Sequence, residues 1–180
     1  MCGISGFFNF NNYFSHNELK RFSLSMSSTL ERRGPDSFGV WIEKTQKIAL
    51  SHRRLSIIDL NERSNQPMQS QNRRYVIVYN GEIYNYLELK EKLKKKNIRF
   101  ITDSDTEVIL EAITEFGFDD AIKQLDGMFS MAVWDNKFKD LYLVRDRIGI
   151  KPLFYYSDSK SFAFASEIKA LKELPWLNFS

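Results

Sequence analysis

Gly3-Ile4-Ser5-Gly6-Phe7-Phe8-Asn9-Phe10 is short, aromatic and alternating, and reads as a strand that begins almost at the first residue. Working outward, Ser15-His16-Asn17-Glu18 has the pattern of a capping box. Leu19, Phe22, Leu24, Met26 and Leu30 follow, which predicts a helix over 16–31. Arg33-Gly34-Pro35-Asp36 breaks that helix into a turn. Short strands are expected over 38–43, 47–51 and 55–59, then a polar loop from Asn61 to Asn72. Arg74-Tyr75-Val76-Ile77-Val78-Tyr79 is the strongest strand signal and runs straight into Asn80-Gly81. A second helix is predicted over 84–96, and Ser104-Asp105-Thr106-Glu107 reads as a second capping box, opening a helix through Val108, Ile109, Ala112 and Ile113. Met128 to Trp134, Leu141 to Arg145, Leu153 to Tyr156 and Phe162 to Ala165 read as antiparallel strands, with a short helix over 167–173 after them. Strands early and late with helices in blocks between them favour α+β, helices packed on antiparallel sheets.

Composition narrows the function. At 180 residues, 43% hydrophobic and 27% charged, the chain has the size and make-up of one globular domain with a real core. A formal charge of +3 and the lack of a basic run interleaved with aromatics speak against nucleic acid. The basic cluster Lys90 to Lys96, with Leu87, Leu89 and Leu93, reads as the solvated face of an amphipathic helix. No apolar run approaches the roughly 20 residues that span a bilayer, and no signal-peptide pattern is present, so no membrane partner is expected and the chain reads as cytoplasmic. The end, Leu174-Pro175-Trp176-Leu177-Asn178-Phe179-Ser180, carries apolar residues expected to be exposed and to want a partner, so the natural protein is expected to continue into a further domain that covers them.

The single cysteine excludes an internal disulfide and makes a thiolate-rich metal site improbable. It stands at position 2. Removal of Met1 would place a thiol and a free α-amine on one residue, and an amine with an ordinary pKa of about 7.7–8.0 can take the thiol proton near neutrality. Thiolate attack on a carboxamide gives a thioester and ammonia without any histidine; His16 and His52, the two present, are not placed by a readable pattern. Retained Met1 would block the amine. The bland alternative is a buried free thiol; against it, Gly3 and Gly6 have no Cβ and would let a substrate or another backbone pass close. Acyl transfer also needs donors aimed at the developing oxyanion. The Asn80 amide and the Gly81 N–H could supply them, whereas Asn-Gly is equally a hairpin-turn signal. Glu82-Ile83-Tyr84-Asn85-Tyr86-Leu87 reads as the start of a helix rather than a return strand, but both readings stay open.

Taken in order, Met1-Cys2-Gly3-Ile4-Ser5-Gly6, Arg33-Gly34-Pro35-Asp36, His52-Arg53-Arg54-Leu55-Ser56-Ile57, Asn65-Gln66-Pro67-Met68, Tyr79-Asn80-Gly81-Glu82-Ile83-Tyr84-Asn85, Ser104-Asp105-Thr106-Glu107-Val108-Ile109, Asp126-Gly127-Met128-Phe129 and Arg145-Asp146-Arg147-Ile148-Gly149-Ile150-Lys151-Pro152-Leu153 resemble the class II glutamine amidotransferases, which are N-terminal-nucleophile hydrolases. The branch is similar to the glutaminase half of glutamine-hydrolysing asparagine synthetases. The resemblance implies a four-layer αββα sandwich of two antiparallel sheets over residues 1–180, with an ATP-dependent synthetase domain expected beyond this chain. It implies Cys2 as nucleophile, Asn80 and the Gly81 N–H as oxyanion hole, Arg54 as the grip on the glutamine α-carboxylate, and Glu82 and Asp105 around its α-ammonium. A guanidinium fork suits a carboxylate; in an extended segment Arg53 and Arg54 point to opposite faces, and the Arg-Leu-Ser-Ile match selects Arg54, leaving Arg53 as a surface charge.

Asp36 is expected to be structural, and Arg145, Asp146 and Lys151 are left without chemistry. The family usually has His before Arg-Gly-Pro-Asp, where this chain has Arg32. The implied reaction is glutamine plus water giving glutamate and ammonia, the ammonia passing to a synthetase partner domain. No cofactor is implied here; ATP and magnesium belong to the synthetase domain, which a Ser-Gly-Gly-x-Asp-Ser loop would mark and which this chain lacks. A homodimer, another acceptor (a sugar or natural-product carboxylate, a phosphoribosyl or sugar-phosphate group) and a non-catalytic module keeping the fold remain open.

Overall fold

The computed structural model describes residues 1–10, 14–43, 45, 47–57 and 59–179. They fall into two compact units, Met1–Leu55 with Pro152–Ser180, and Ser56–Lys151. Both are α+β, each a single antiparallel sheet with helices.

The first unit contains β1 (Gly3–Asn9), α1 (His16–Thr29), β2 (Ser37–Ile42), β3 (Ile48–Arg54), β8 (Phe154–Ser157), β9 (Ser161–Ala165) and α5 (Ile168–Leu171), its sheet ordered β2-β3-β1-β9-β8. The opening strand is therefore central, paired with β3 on one side and β9 on the other. The helix α1 starts where the sequence predicts: the Ser15 hydroxyl accepts from the Glu18 N–H and the Glu18 carboxylate accepts from the Ser15 N–H. Leu19, Phe22, Met26 and Leu30 pack on Phe7, Ala49, Ala163 and Ala165. Gly3 and Gly6 turn out to be packing positions rather than openings for a substrate: a Cβ on Gly3 would meet the Leu30 side chain at 2.9 Å, and one on Gly6 the Phe164 ring at 2.7 Å. The tail is not an unpartnered apolar surface either. Leu174 and Leu177 are buried and Trp176 stacks edge-on against Phe7 and Phe22, leaving Phe179 exposed.

The second unit contains β4 (Met68–Gln69), β5 (Tyr75–Ile83), α2 (Tyr86–Lys94), α3 (Asp105–Phe116), α4 (Phe118–Gln124), β6 (Gly127–Asp135) and β7 (Asp140–Arg145), its sheet ordered β4-β5-β6-β7. One face of this sheet, with Tyr75, Ile77, Tyr79, Ile83, Phe129, Met131 and Val133, packs against Leu89, Leu93, Val108, Ile109 and Ile113 of the helices. Alternation turns Val76, Val78, Asn80, Ser130, Ala132 and Trp134 to the other face, where all are buried.

Several expectations are corrected. The strand predicted over 55–59 does not form at the described residues 55–57 and 59 (Ile58 lies outside them); instead β3 runs on to Arg54 and the chain leaves the sheet. Ser104 does cap α3, through Thr106 N–H, but Glu107 does not close a capping box: its carboxylate accepts from Ile101 N–H and Thr102 N–H. In α2, Leu87 is exposed and Lys90 is buried, its ammonium on Asp103 at 2.9 Å and over the Phe100 ring. α4 was not foreseen.

The Arg-Asp-x-x-Gly motif has a structural explanation. The buried Asp146 carboxylate accepts from the N–H groups of Phe129, Ile148, Ile150 and Lys151 at 2.9–3.2 Å, and Arg145 donates to the carbonyls of Gly149 and Lys151. Burial acts to raise the Asp146 pKa, but these donors outweigh it and hold the carboxyl below its ordinary range. The stability it contributes is thus full above the ordinary aspartate value and lost as pH falls through the lowered folded one. Asp146→Asn is expected to cost about 1–3 kcal/mol in urea unfolding at neutral pH, with the difference from wild type shrinking below about pH 4.

Candidate active site

Cys2 precedes central strand β1. The register pairs Gly3 with Arg53, so one further step sets Cys2 across from Arg54, the last residue of β3. Both lie on the face turned away from α1, because Gly3, Phe7, Ala49 and Arg53 take the α1 side. Leu55, just past β3, donates its N–H to the Cys2 sulfur at 3.4 Å, and its carbonyl lies 3.6 Å from the same atom. The thiol is half-buried, Arg54 is buried and Met1 is exposed.

Two residues of the Arg-Gly-Pro-Asp turn, which the sequence reading left without a role, build this corner. Arg33 Nε donates to the Cys2 carbonyl at 2.9 Å, while its Nη1 pairs with Glu167 at 3.1 Å, fixing the backbone that carries the thiol. Gly34 lies against the Arg53–Arg54 peptide so closely that a Cβ would sit 2.3 Å from the Arg53 carbonyl carbon. Asp36 donates its backbone N–H to the Arg54 carbonyl at 3.0 Å, closing the turn against the end of β3. Arg53 is not a surface charge. Its Nε donates to the Ser27 carbonyl near the end of α1, its guanidinium lies over the Phe38 ring, and its side chain is largely covered.

In the second unit, Asn80, Gly81 and Glu82 are consecutive on β5, paired with Ser130, Phe129 and Met128 of β6. Asn80-Gly81 is therefore mid-strand, not a hairpin turn. A Cβ on Gly81 would come within 2.4 Å of the Met128 carbonyl oxygen, so the close approach of β6 requires glycine there. Asn80 is 1% exposed, and its Nδ2 has no hydrogen-bond partner among the described residues. A buried unpaired donor of this kind is costly and uncommon.

Asp105, the first residue of α3, reaches the same strand: its Oδ2 accepts from the Tyr79 hydroxyl at 2.8 Å and the Ile83 N–H at 3.2 Å. Burial pushes its carboxyl above the usual carboxylate range; the bonds from Tyr79 and Ile83 oppose that, and the neighbouring charge of Glu82 adds to it. Glu82 itself is exposed. Gln66 explains the Asn-Gln-Pro-Met motif: its Oε1 accepts from Tyr79 N–H and its Nε2 donates to Thr106, joining β5 to α3. Each sheet thus gathers its own subset: Cys2 and Arg54 in the first unit, Asn80, Gly81, Glu82 and Asp105 in the second.

No helix among the described residues is long and apolar enough to cross a membrane. A family model described as a glutamine amidotransferase domain matches residues 1–179. The putative asparagine synthetase [glutamine-hydrolyzing] 2 of Methanocaldococcus jannaschii is 38% identical over 99% of this chain and 36% of its own length. Asparagine synthetase [glutamine-hydrolyzing] 3 of Bacillus subtilis is 40% identical over 97% of this chain and 28% of its own. The chain spans about a third or less of the length of these relatives. Glutamine phosphoribosylpyrophosphate amidotransferase of B. subtilis, solved with ADP and GMP, shares the fold at TM-score 0.77 and 20% identity, over 95% of this chain and 43% of that one. The chain belongs to the class II glutamine amidotransferase domain family.

Proposed function

We propose that this domain hydrolyses glutamine to glutamate and ammonia through a Cys2 thioester. The observation that carries the reading is the start of β1, where a half-buried thiol one residue from the terminus has its backbone held by Arg33 and lies across the register from Arg54. Once Met1 is removed, the freed α-amine accepts the thiol proton. The sulfur attacks the carboxamide carbon of glutamine, forming the C–S bond, and negative charge moves to oxygen. Asn80 Nδ2 and the Gly81 N–H are assigned to that oxygen. The C–N bond breaks, and ammonia leaves with the proton the amine held. Water then attacks the thioester, releasing glutamate and restoring the thiol.

Arg54 binds the α-carboxylate in two parallel hydrogen bonds, and Asp105 with Glu82 binds the α-ammonium. By analogy with the relatives named as glutamine-hydrolysing asparagine synthetases, the ammonia goes to an ATP-dependent amidation domain, and ATP with magnesium belongs to that domain. The test is stoichiometry: the processed chain given glutamine is expected to release glutamate and ammonia one to one, while release of neither would count against the proposal.

The raised Asp105 carboxyl gives this reading a pH signature. The ionised form binds the substrate ammonium, and it is lost as pH falls through a value above the ordinary aspartate range. The acid limb of kcat/KM for glutamine is therefore expected to lie above the ordinary value of about 3.9. It is expected to disappear in Asp105→Asn, whose kcat/KM is low throughout. A wild-type profile flat down to pH 4 would contradict the assignment.

A further inference from the structure

We propose that Ser130 is a positioning residue for the Asn80 amide, an inference that rests on the glutaminase reading above. Asn80 and Ser130 are directly paired across β5 and β6 and are 1% and 0% exposed. Both Asn80 Nδ2 and Ser130 Oγ are buried without a hydrogen-bond partner among the described residues. Directly opposed residues in an antiparallel pair have Cβ atoms about 4.5–5.5 Å apart on one face, so rotation about the Ser130 side chain brings its oxygen to the amide.

Among the described residues, the positions flanking this pair on the same face are Val78, Ala132, Met128 and Glu82; the first three are apolar, and Glu82 is exposed and makes no hydrogen bond to the Asn80 amide nitrogen. Arg145, which pairs with Ser130 from β7, directs its guanidinium to Gly149 and Lys151. A carboxamide nitrogen carries two N–H groups. One is assigned to the oxyanion of the tetrahedral intermediate, and the second then needs an acceptor. Ser130 Oγ supplies it, fixing the amide plane so that the first N–H stays on the oxyanion as charge develops. Each of the two atoms left unpaired in a buried setting is unfavourable, and a mutual hydrogen bond relieves both. Ser130 touches neither substrate nor thiol in this scheme; it acts through Asn80.

The test is a double-mutant cycle read as separate kcat and KM values for glutamine. Asn80→Ala alone is expected to lower kcat by about 10²–10³-fold. Ser130→Ala is expected to lower kcat about tenfold with KM within about twofold. Added to Asn80→Ala it is expected to have no further effect, because the group it positions is gone. Ser130→Thr, which keeps the hydroxyl, is expected to recover most of the rate, and equal urea midpoints for Ser130→Ala and wild type would set aside a folding defect. Ser130→Ala with wild-type kcat, or with the same proportional loss in both backgrounds, would overturn the inference. If the wild type releases no glutamate, or Asn80→Ala matches it, the glutaminase reading fails and this inference fails with it.

Discussion

Cys2→Ala is expected to reduce glutamine hydrolysis by at least ~10³-fold while leaving the fold and the urea midpoint close to wild type, since removing a nucleophile from an acyl-transfer site leaves only what binding and oxyanion donors contribute. The side chain is half-buried, its contacts with the Leu55 N–H and carbonyl are long at 3.4 and 3.6 Å, and the change to Ala removes a single sulfur atom. The amine of residue 2 would survive the substitution, which separates the thiol from the terminus as the source of activity. A module that keeps the fold for binding alone would show no glutaminase in either form and identical ligand binding in both. Hydrolysis measured side by side in the two proteins, with thermal unfolding as the control, decides between them.

Arg54→Ala is expected to raise KM for glutamine by about 10²-fold, with a smaller fall in kcat. A bidentate charge-assisted pair is among the stronger polar contacts a small substrate can make. Its removal strands the α-carboxylate with no guanidinium to hold it. Arg54→Lys is expected to recover only part of the loss, because a point charge cannot reproduce the fork. The placement supports a binding rather than a structural part: Arg54 ends β3 on the face that also carries Cys2. Arg53, one residue earlier, faces α1 and ties to Ser27. Arg53→Ala is therefore expected to lower stability and leave KM near wild type. Steady-state kinetics of the three variants, alongside their urea midpoints, test this division.

The strand–helix pattern was legible because its signals are local. Alternation marked β1, near-continuous apolar runs marked β5 and β6, and the Ser15–Glu18 capping box marked the start of α1. What escaped depends on partners distant in sequence. Leu55 reads as strand, yet its N–H and carbonyl turn to the Cys2 sulfur instead of a ladder, and Ile57 beyond it is exposed. The helix α4 is a seven-residue piece restarted after Gly117, whose φ of +83° ends α3, and seven residues carry little periodicity to read. The tail looked unpartnered because Trp176 finds Phe7 and Phe22, aromatic contacts that no local pattern announces.

For the site, the residue types were readable and the supports were not. The Cys2 thiol and the Asn80-Gly81 donors could be picked out by their chemistry, whereas Arg54 was chosen over Arg53 only through the family resemblance. The hold of Arg33 on the Cys2 carbonyl could not, because nothing in Arg-Gly-Pro-Asp says which backbone it will meet. Gln66 between Tyr79 and Thr106 is the same case. Ser130 had a weak signal available: a lone hydroxyl in the apolar run Met128-Phe129-Ser130-Met131-Ala132-Val133.

The most direct test of the central claim is the intact mass of the purified chain before and after exposure to a diazo-ketone analogue of glutamine. The expected result is loss of Met1 and one covalent adduct, absent in Cys2→Ala. Loss of Met1 with no adduct on the wild type, or an adduct that persists in Cys2→Ala, would contradict it.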